Sequence, residues 1–251
     1  MENTFKNKVV LVTGGSSGIG RATALAFARK GAKIVIADWV ENLETMDIIE
    51  NLGGEAIFVK CDVSNSVDVK ALIEKIIATF GRLDFAFNNA GIEGTSAPTQ
   101  DCSEENWDKT IGINLKGIWL CMKYEIPVML KKGKGVIVNC SSVAGLVGFQ
   151  GSPAYVASKH GVIGLTKTAA LENAKLGIRI NAVCPGIIKT PMIDRATGNK
   201  KEVETQLMSM EPIGRFGLAE EIANAVIWLC SDEASFVTGI EMPVDGGFVV
   251  Q

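Results

Sequence analysis

The strongest constraint on this chain is a rhythm. Short β-branched runs, apolar nearly throughout, alternate with longer stretches of helical periodicity. The runs lie at residues 9–13, 33–38, 56–60, 83–89, 135–142, 178–186 and 240–244. The helical patterns lie at 20–31, 41–52, 67–80, 104–130, 154–176 and 220–230. A strand without in–out alternation is buried on both faces, which calls for a parallel sheet covered by helices. The intervening helices supply the right-handed crossovers that parallel neighbours need. The pattern therefore predicts one α/β domain over residues 1–251, a doubly wound, seven-stranded parallel sheet flanked by helices. Residues 187–214, with Thr190, Pro191, Met192, Met208 and Met210, stand outside the rhythm. An irregular stretch of that length is expected to be a lid or substrate loop.

Composition narrows the partners. With 47% hydrophobic residues the chain can bury a large core, and a net charge of −3 leaves no electrostatic footprint for nucleic acid. The six cysteines are scattered, with no C-x-x-C, and the single histidine, His160, gives no metal-ligand spacing, so no metal is expected. Scattered cysteines within apolar strands read as small buried hydrophobes in a reducing, cytoplasmic compartment. The N-terminal apolar run is too short for a secretory signal, and no stretch is long enough to span a membrane.

Between the first strand and the first helix stand Gly14, Gly15, Ser16, Ser17, Gly18, Ile19 and Gly20. Backbone N–H groups at a helix N-terminus, with no Cβ in the way, are what a pyrophosphate needs. Asp38 ends the second strand twenty residues after Gly18. A carboxylate there can accept from both ribose hydroxyls of an adenosine and repels a 2′-phosphate by roughly 1–4 kcal/mol at ~4 Å. Neither Trp39 nor Ser17 supplies a balancing cation, so NAD is expected over NADP.

Tyr155 and Lys159 lie four apart on one helix face. A phenol is a poor acid at neutral pH, and a neighbouring ammonium stabilises its phenolate form. The helix that carries them follows a strand ending in Asn139, Cys140, Ser141 and Ser142, where a serine can donate to a carbonyl oxygen as charge develops. Asn114 interrupts an apolar helical pattern with a side chain that disfavours helix interiors.

With Asp62-Val63, Asn88-Asn89-Ala90-Gly91, Pro185-Gly186 and Asp245-Gly246-Gly247 added in order, the chain resembles short-chain dehydrogenases/reductases over essentially its whole length. The resemblance implies a Rossmann-type domain. It also implies an oxidoreductase that transfers a hydride between NAD(H) and a secondary alcohol or ketone, with Asn114, Ser142, Tyr155 and Lys159 as the catalytic set. Ser142, thirteen residues before Tyr155, takes the family's serine position over Ser141. By that resemblance Tyr155 exchanges the proton, Lys159 binds the nicotinamide ribose and Asn114 holds a relay water. Cofactor contacts are expected at Gly14, Ser16, Ser17, Gly18, Ile19, Gly20, Asp38, Trp39, Cys61, Asp62, Val63, Asn89, Ala90, Gly91, Tyr155, Lys159, Pro185, Gly186, Ile188 and Thr190. Substrate walls are expected at Ser142, Val143, Phe149, Gln150 and Met192, with Leu146, Glu93, Gly94 and the loop methionines beside them.

Mostly apolar walls favour a small hydrophobic or cyclic substrate. A 3-oxoacyl-carrier-protein reductase and a sugar dehydrogenase are the alternatives within the family, and an NAD(H)-sensing protein is the non-enzymatic one. A methyltransferase using S-adenosylmethionine has no need of Ser142, Tyr155 and Lys159 together. A homotetramer is implied, with the apolar residues 247–250 expected against a partner.

Overall fold

The computed structural model describes residues 4–251; residues 1–3, where the predicted domain span begins, lie outside the described residues. Seven parallel strands form one sheet: β1 (Val9–Thr13), β2 (Lys33–Asp38), β3 (Glu55–Lys60), β4 (Phe85–Asn88), β5 (Gly135–Cys140), β6 (Ile178–Pro185) and β7 (Glu241–Val244). Their order is β3-β2-β1-β4-β5-β6-β7. The direction of winding reverses between β1 and β4, which opens a crevice above the carboxyl ends of those strands.

The central strands β1, β4 and β5 are buried at every position, as unalternating sequence requires. Odd and even residues of β1 serve opposite layers. Val9 and Leu11 pack with α3 (Ser66–Phe80), α5 (Gly117–Leu130) and α6 (Pro153–Asn173), while Val10 and Val12 pack with α1 (Gly18–Ala28) and α9 (Ala219–Cys230). The edge strands β3 and β7 depart from the expected full burial; β3 is half-covered and ends in exposed Glu55 and Lys60. Charged ends blunt an edge that would otherwise template pairing.

Local chemistry sets the helix limits. Asn65 caps α3 by accepting from the Val67 N–H, and Gly81 closes it in the left-handed region. Ser103 caps α4 (Glu104–Ile111), and Pro153 starts α6 at a position where its missing N–H is not needed. The remaining helix of this half, α2, spans Glu44–Asn51.

Two expectations about regularity change. The predicted helix over 104–130 is three pieces, because Gly112–Lys116 form a π-helical turn between α4 and α5. The predicted irregular stretch 187–214 is largely helical, with α7 (Pro191–Thr197) and α8 (Lys201–Ser209). Pro191 starts α7 and Gly198 ends it at φ 58°, so short helices with strong punctuation hid within a sequence that reads as loop.

Candidate active site

The glycine loop sits where the sheet reverses. Gly14 (φ 64°) lies so close to the next strand's loop that an added Cβ would come 2.9 Å from Asn89 Nδ2 and 3.0 Å from Ala90 Cα. Gly20 faces the Gly14 carbonyl, so helix α1 packs directly onto the turn. Asn89 holds the loop from the β4 side, donating from Nδ2 to the Thr13 carbonyl at 3.0 Å and the Gly14 carbonyl at 3.3 Å. Thr13 Oγ1 accepts from the Asn89 and Ala90 N–H groups at 2.9 and 3.1 Å. Ser16 Oγ is buried in this loop without a partner in the protein. A buried hydroxyl with spare bonding capacity, beside glycines and a helix N-terminus, fits the pyrophosphate of a dinucleotide.

Asp38 faces the same loop, its Oδ2 accepting from the Ser16 N–H at 3.2 Å and its Oδ1 from the Trp39 N–H at 2.9 Å. Trp39, 69% exposed, lines an open hollow with Phe58, Asp62 and Lys75 beyond the ends of β2 and β3. Cys61 and Val63 are buried beneath that hollow, Val63 against Gly117 of α5. Ser17, Gly18 and Ile19 start α1, and Gly18 meets the other side of the site, its Cβ position lying 3.3 Å from Thr190 Cγ2. The Thr190 hydroxyl donates to the Ile188 carbonyl at 3.1 Å. Pro185 and Gly186 bring that segment off β6, with the Gly186 N–H bonded to Val244 on β7.

Tyr155 and Lys159 share one face of α6, with the Lys159 ammonium 5.4 Å from the centre of the Tyr155 ring. Lys159 is buried, and its Nζ donates to the Cys140 carbonyl at 2.9 Å. Burial pushes the Cys140 thiol up, and the Lys159 charge works against that rise. Ser141 is turned inward, donating to the Lys159 carbonyl at 2.9 Å, whereas Ser142 is half-buried and accepts from the Ala144 N–H at 3.1 Å. The Ser141 hydroxyl is thus committed to the fold, while Ser142 Oγ serves there as an acceptor only.

Asn114 lies in the π turn, fully buried. Its Oδ1 accepts from the Ile92 N–H at 2.8 Å, and its Nδ2 donates to the Ile92 carbonyl at 2.9 Å and to Ser158 Oγ at 3.2 Å. Ser158 passes the link on to the Tyr155 carbonyl at 2.7 Å. An extra residue in the turn aims this amide out of the helix and into the site; π turns often mark such places. Gly91 keeps the space beside it open, because a Cβ there would stand 3.2 Å from Asn114 Oδ1 and 3.7 Å from Lys159 Nζ.

A separate apolar cluster gathers Val143, Val147 and Phe149 with Ile193 and Leu207 of α7 and α8. Phe248 joins it, stacked on Phe149 at 5.4 Å and an interplanar angle of 15°. The predicted partner-facing tail is therefore corrected in part: Phe248 tucks into its own subunit, and only Val250 beside it is largely exposed. Met192 is half-buried on α7, Leu146 is half-buried and Gln150 is exposed at the rim. Gly94 packs against Thr110 and Asn106 of α4. His160 is exposed, with Nδ1 3.0 Å from the Val156 carbonyl one turn back, an ordinary helix position.

Three contacts escape a reading of the sequence. Arg21 braces the glycine loop, donating to the Ser16 carbonyl from Nη2 at 2.7 Å while pairing with Glu44 at 2.7 Å. Glu93 reaches across to Arg195 of α7 through two contacts of 3.1 and 3.3 Å. Glu211, which follows α8, is buried and accepts from the Ile187 N–H at 2.6 Å. Only Arg21 carries a local signal, its place in the first turn after the glycines; the other two depend on segments about a hundred and about two dozen residues apart. Among the described residues no cluster of side chains could hold a metal ion, and no helix is long and apolar enough to cross a membrane.

A family model described as enoyl-(acyl carrier protein) reductase matches residues 14–249. The chain is 48% identical to the cyclohexanol dehydrogenase of Acinetobacter sp. (strain SE19), across 99% of this chain and 97% of that one. It is 46% identical to a 2,5-dichloro-2,5-cyclohexadiene-1,4-diol dehydrogenase of Sphingobium indicum, across 97% and 98% of the two chains. The crystal structure of levodione reductase superposes with a TM-score of 0.93 at 38% identity, covering 97% of this chain and 98% of the other.

Proposed function

The chain belongs to the short-chain dehydrogenase/reductase family and is an oxidoreductase acting on CH–OH groups; we propose that it interconverts a small cyclic, mainly apolar secondary alcohol and its ketone with NAD(H). The observation that carries this reading is the buried Lys159 ammonium, fixed by the Cys140 carbonyl and held against the Tyr155 ring beside the glycine loop. The nicotinamide supplies or accepts the hydride when bound. Tyr155 Oη exchanges a proton with the substrate oxygen, and the Lys159 charge stabilises the phenolate that results. Ser142 Oγ donates to the same oxygen as negative charge develops there. Asn114 sets the backbone of Ile92 and, through Ser158, the start of α6, and its turn is where a relay water would be held.

Asp38 and the glycine loop hold the adenosine half, with Trp39, Cys61, Asp62, Val63, Asn89, Ala90 and Gly91 around it. Gly186, Ile188 and Thr190 hold the carboxamide end. The Asp38 carboxylate supports NAD: it faces the Ser16 N–H, and a 2′-phosphate brought beside it would meet like charge. Arg21, the nearby cation, is already engaged by Glu44 and the Ser16 carbonyl. The apolar wall of Val143, Phe149, Ile193, Leu207 and Phe248 supports a cyclic hydrocarbon skeleton over a sugar. The six free thiols suit a reducing cytoplasm, and exposed Trp107, Trp119 and Phe236 suit faces covered in a homotetramer.

The test is steady-state kinetics with NAD⁺ and NADP⁺ across cyclohexanols, cyclic diols, aldoses and, in reverse, 3-oxoacyl thioesters. The expected result is kcat/KM at least about tenfold higher with NAD⁺ than with NADP⁺, a difference of ~1.4 kcal/mol, and highest with a cyclic alcohol. Preference for NADPH and an acyl thioester would overturn the assignment in favour of the carrier-protein reductase.

A further inference from the structure

Glu125 is a titratable group that the reaction does not use. It is fully buried on α5, where its Oε2 accepts from Asn88 Nδ2 at 3.0 Å. The same Asn88 Nδ2 donates to Asn139 Oδ1 at 3.1 Å, and Asn139 Nδ2 donates to Thr166 Oγ1 at 2.9 Å. Thr166 lies on α6, two turns beyond Lys159. Two atoms of this cluster have no partner, Asn88 Oδ1 and Glu125 Oε1. If Glu125 is ionised, both are acceptors, and neither can satisfy the other. A proton on Oε1 removes the conflict. A neutral acid donates from one oxygen and accepts at the other, and a carboxamide offers the complementary pair.

We propose that Glu125 is a positioning residue held as a neutral carboxylic acid, paired edge to edge with the Asn88 carboxamide, and that this pair fixes the two strand ends on which the reacting groups are aligned. Asn88 precedes Asn89, which holds the glycine loop through the Thr13 and Gly14 carbonyls. Asn139 precedes Cys140, whose carbonyl receives the Lys159 ammonium. The Asn88 amide therefore links the two strand ends from which those contacts are made. The surroundings favour the proton: burial pushes Glu125 up to about 8, with the Asn88 bond acting in the opposite sense. No cation faces it within this network. Asn88, Asn139 and Thr166 from β4, β5 and α6 are neutral, and Cys121, one turn earlier on α5, is a thiol that burial pushes well above its ordinary range.

The role rests on reading Tyr155 and Lys159 as the reacting pair, so the decisive measurement is one that needs no turnover. Infrared difference spectra of wild type against Glu125→Gln at pH 7 should show the carbonyl stretch of a neutral carboxylic acid in wild type only. Carboxylate bands in its place overturn the proposal and leave the functional reading intact; a wild type without turnover on any alcohol does the reverse. Gln keeps one donor and one acceptor but cannot ionise, so E125Q should retain kcat within about threefold at pH 7. It should also hold that value above pH 8, where wild type loses rate as the buried carboxyl ionises. Glu125→Leu offers neither group and should lose about tenfold or more in kcat with KM changed less than about threefold. Should E125L not fold, the infrared band and the E125Q profile still decide. E125Q falling as far as E125L, or sharing wild type's alkaline profile, refutes the positioning role.

Discussion

Two buried carboxyls, Asp84 just before β4 and Glu125 of α5 against Asn88 at its far end, are treated by the fold in opposite ways. At the foot of the strand, Asp84 is 3% exposed and saturated. It takes the Val9 N–H at 2.9 Å, two contacts from Arg82 at 2.6 and 2.7 Å, and the Lys132 ammonium. Burial alone would raise its pKa, and the bonds from Arg82 and Lys132 hold it below the ordinary range instead. At the top, Glu125 has one bond to a neutral amide and no cation, and burial pushes it up. The foot sets two cations against Asp84 and ties it to the Val9 N–H of β1. The top leaves polar atoms unpaired at Ser16, Asn88 and Glu125, around the crevice where ligands enter doubly wound sheets. Stability and chemistry occupy opposite edges of one sheet.

That division predicts which measurements each end should move. The largest effect belongs to the top: Tyr155→Phe removes the proposed proton donor and should lower kcat by about 10²–10⁴. NADH affinity, read by fluorescence titration, should stay within a factor of about three, because the ring and the Lys159 contact to Cys140 remain. A variant keeping more than about a tenth of wild-type kcat would mean that another group donates the proton. Asp84→Asn is the counterpart at the foot. It should cost about 1–3 kcal/mol by leaving donors unmatched, less than a sealed ion pair because Arg82 and Lys132 are about a third exposed and can turn to water. Thermal unfolding at pH 7 should shift down by several degrees while kcat/KM at 25 °C is unchanged. The sign is checked by pH: a carboxyl held below its ordinary value stabilises the fold above that range and loses the effect as pH falls through it. Wild type and D84N should therefore converge in stability as the pH falls below the ordinary carboxylate range and Asp84 takes up its proton.

What could be read without coordinates follows the same division. Strands buried on both faces announce themselves, and β1 and β2 keep their predicted bounds. Tyr155 and Lys159 were legible because one helix fixes their spacing, and Gly14 through Gly20 because a strand and a helix bracket them. The contacts that join distant segments were not. Nothing near Glu125 says that Asn88, thirty-seven residues earlier, will be its partner. Asn114 was visible as an interruption, but that a π turn would aim it at Ile92 depends on the loop it meets. Residues 187–214 were read as irregular because α7 and α8 are short and bury only Thr197, so the apolar periodicity that reveals long helices is faint there.

The lid also gives the smallest effect and the sharpest contrast with the buried top. At its base it is held by Glu211 on the Ile187 N–H and by Lys189, which pairs with Asp194 at 2.7 Å and Glu204 at 2.5 Å. At the mouth, Arg195 of α7 meets Glu93, the residue after Ile92 that Asn114 anchors, so the pair ties α7 to the loop after β4. Their side chains are 61% and 34% exposed, and such a pair is worth about 0–1 kcal/mol. On the proposed reading of this segment as a substrate lid, a closure equilibrium balanced within that range shifts visibly. Arg195→Ala should raise KM about two- to fivefold and leave kcat equal or slightly higher, since opening becomes easier. Exchanging the charges, Glu93→Arg with Arg195→Glu, should recover most of the loss. In about 1 M salt, where the screening length falls to ~3 Å, wild type should approach the Arg195→Ala values. If KM is unmoved, or the salt curves never converge, then the apolar contacts of Ile193 and Leu207 hold the lid, and the mouth is governed by the same burial as the strand ends beneath it.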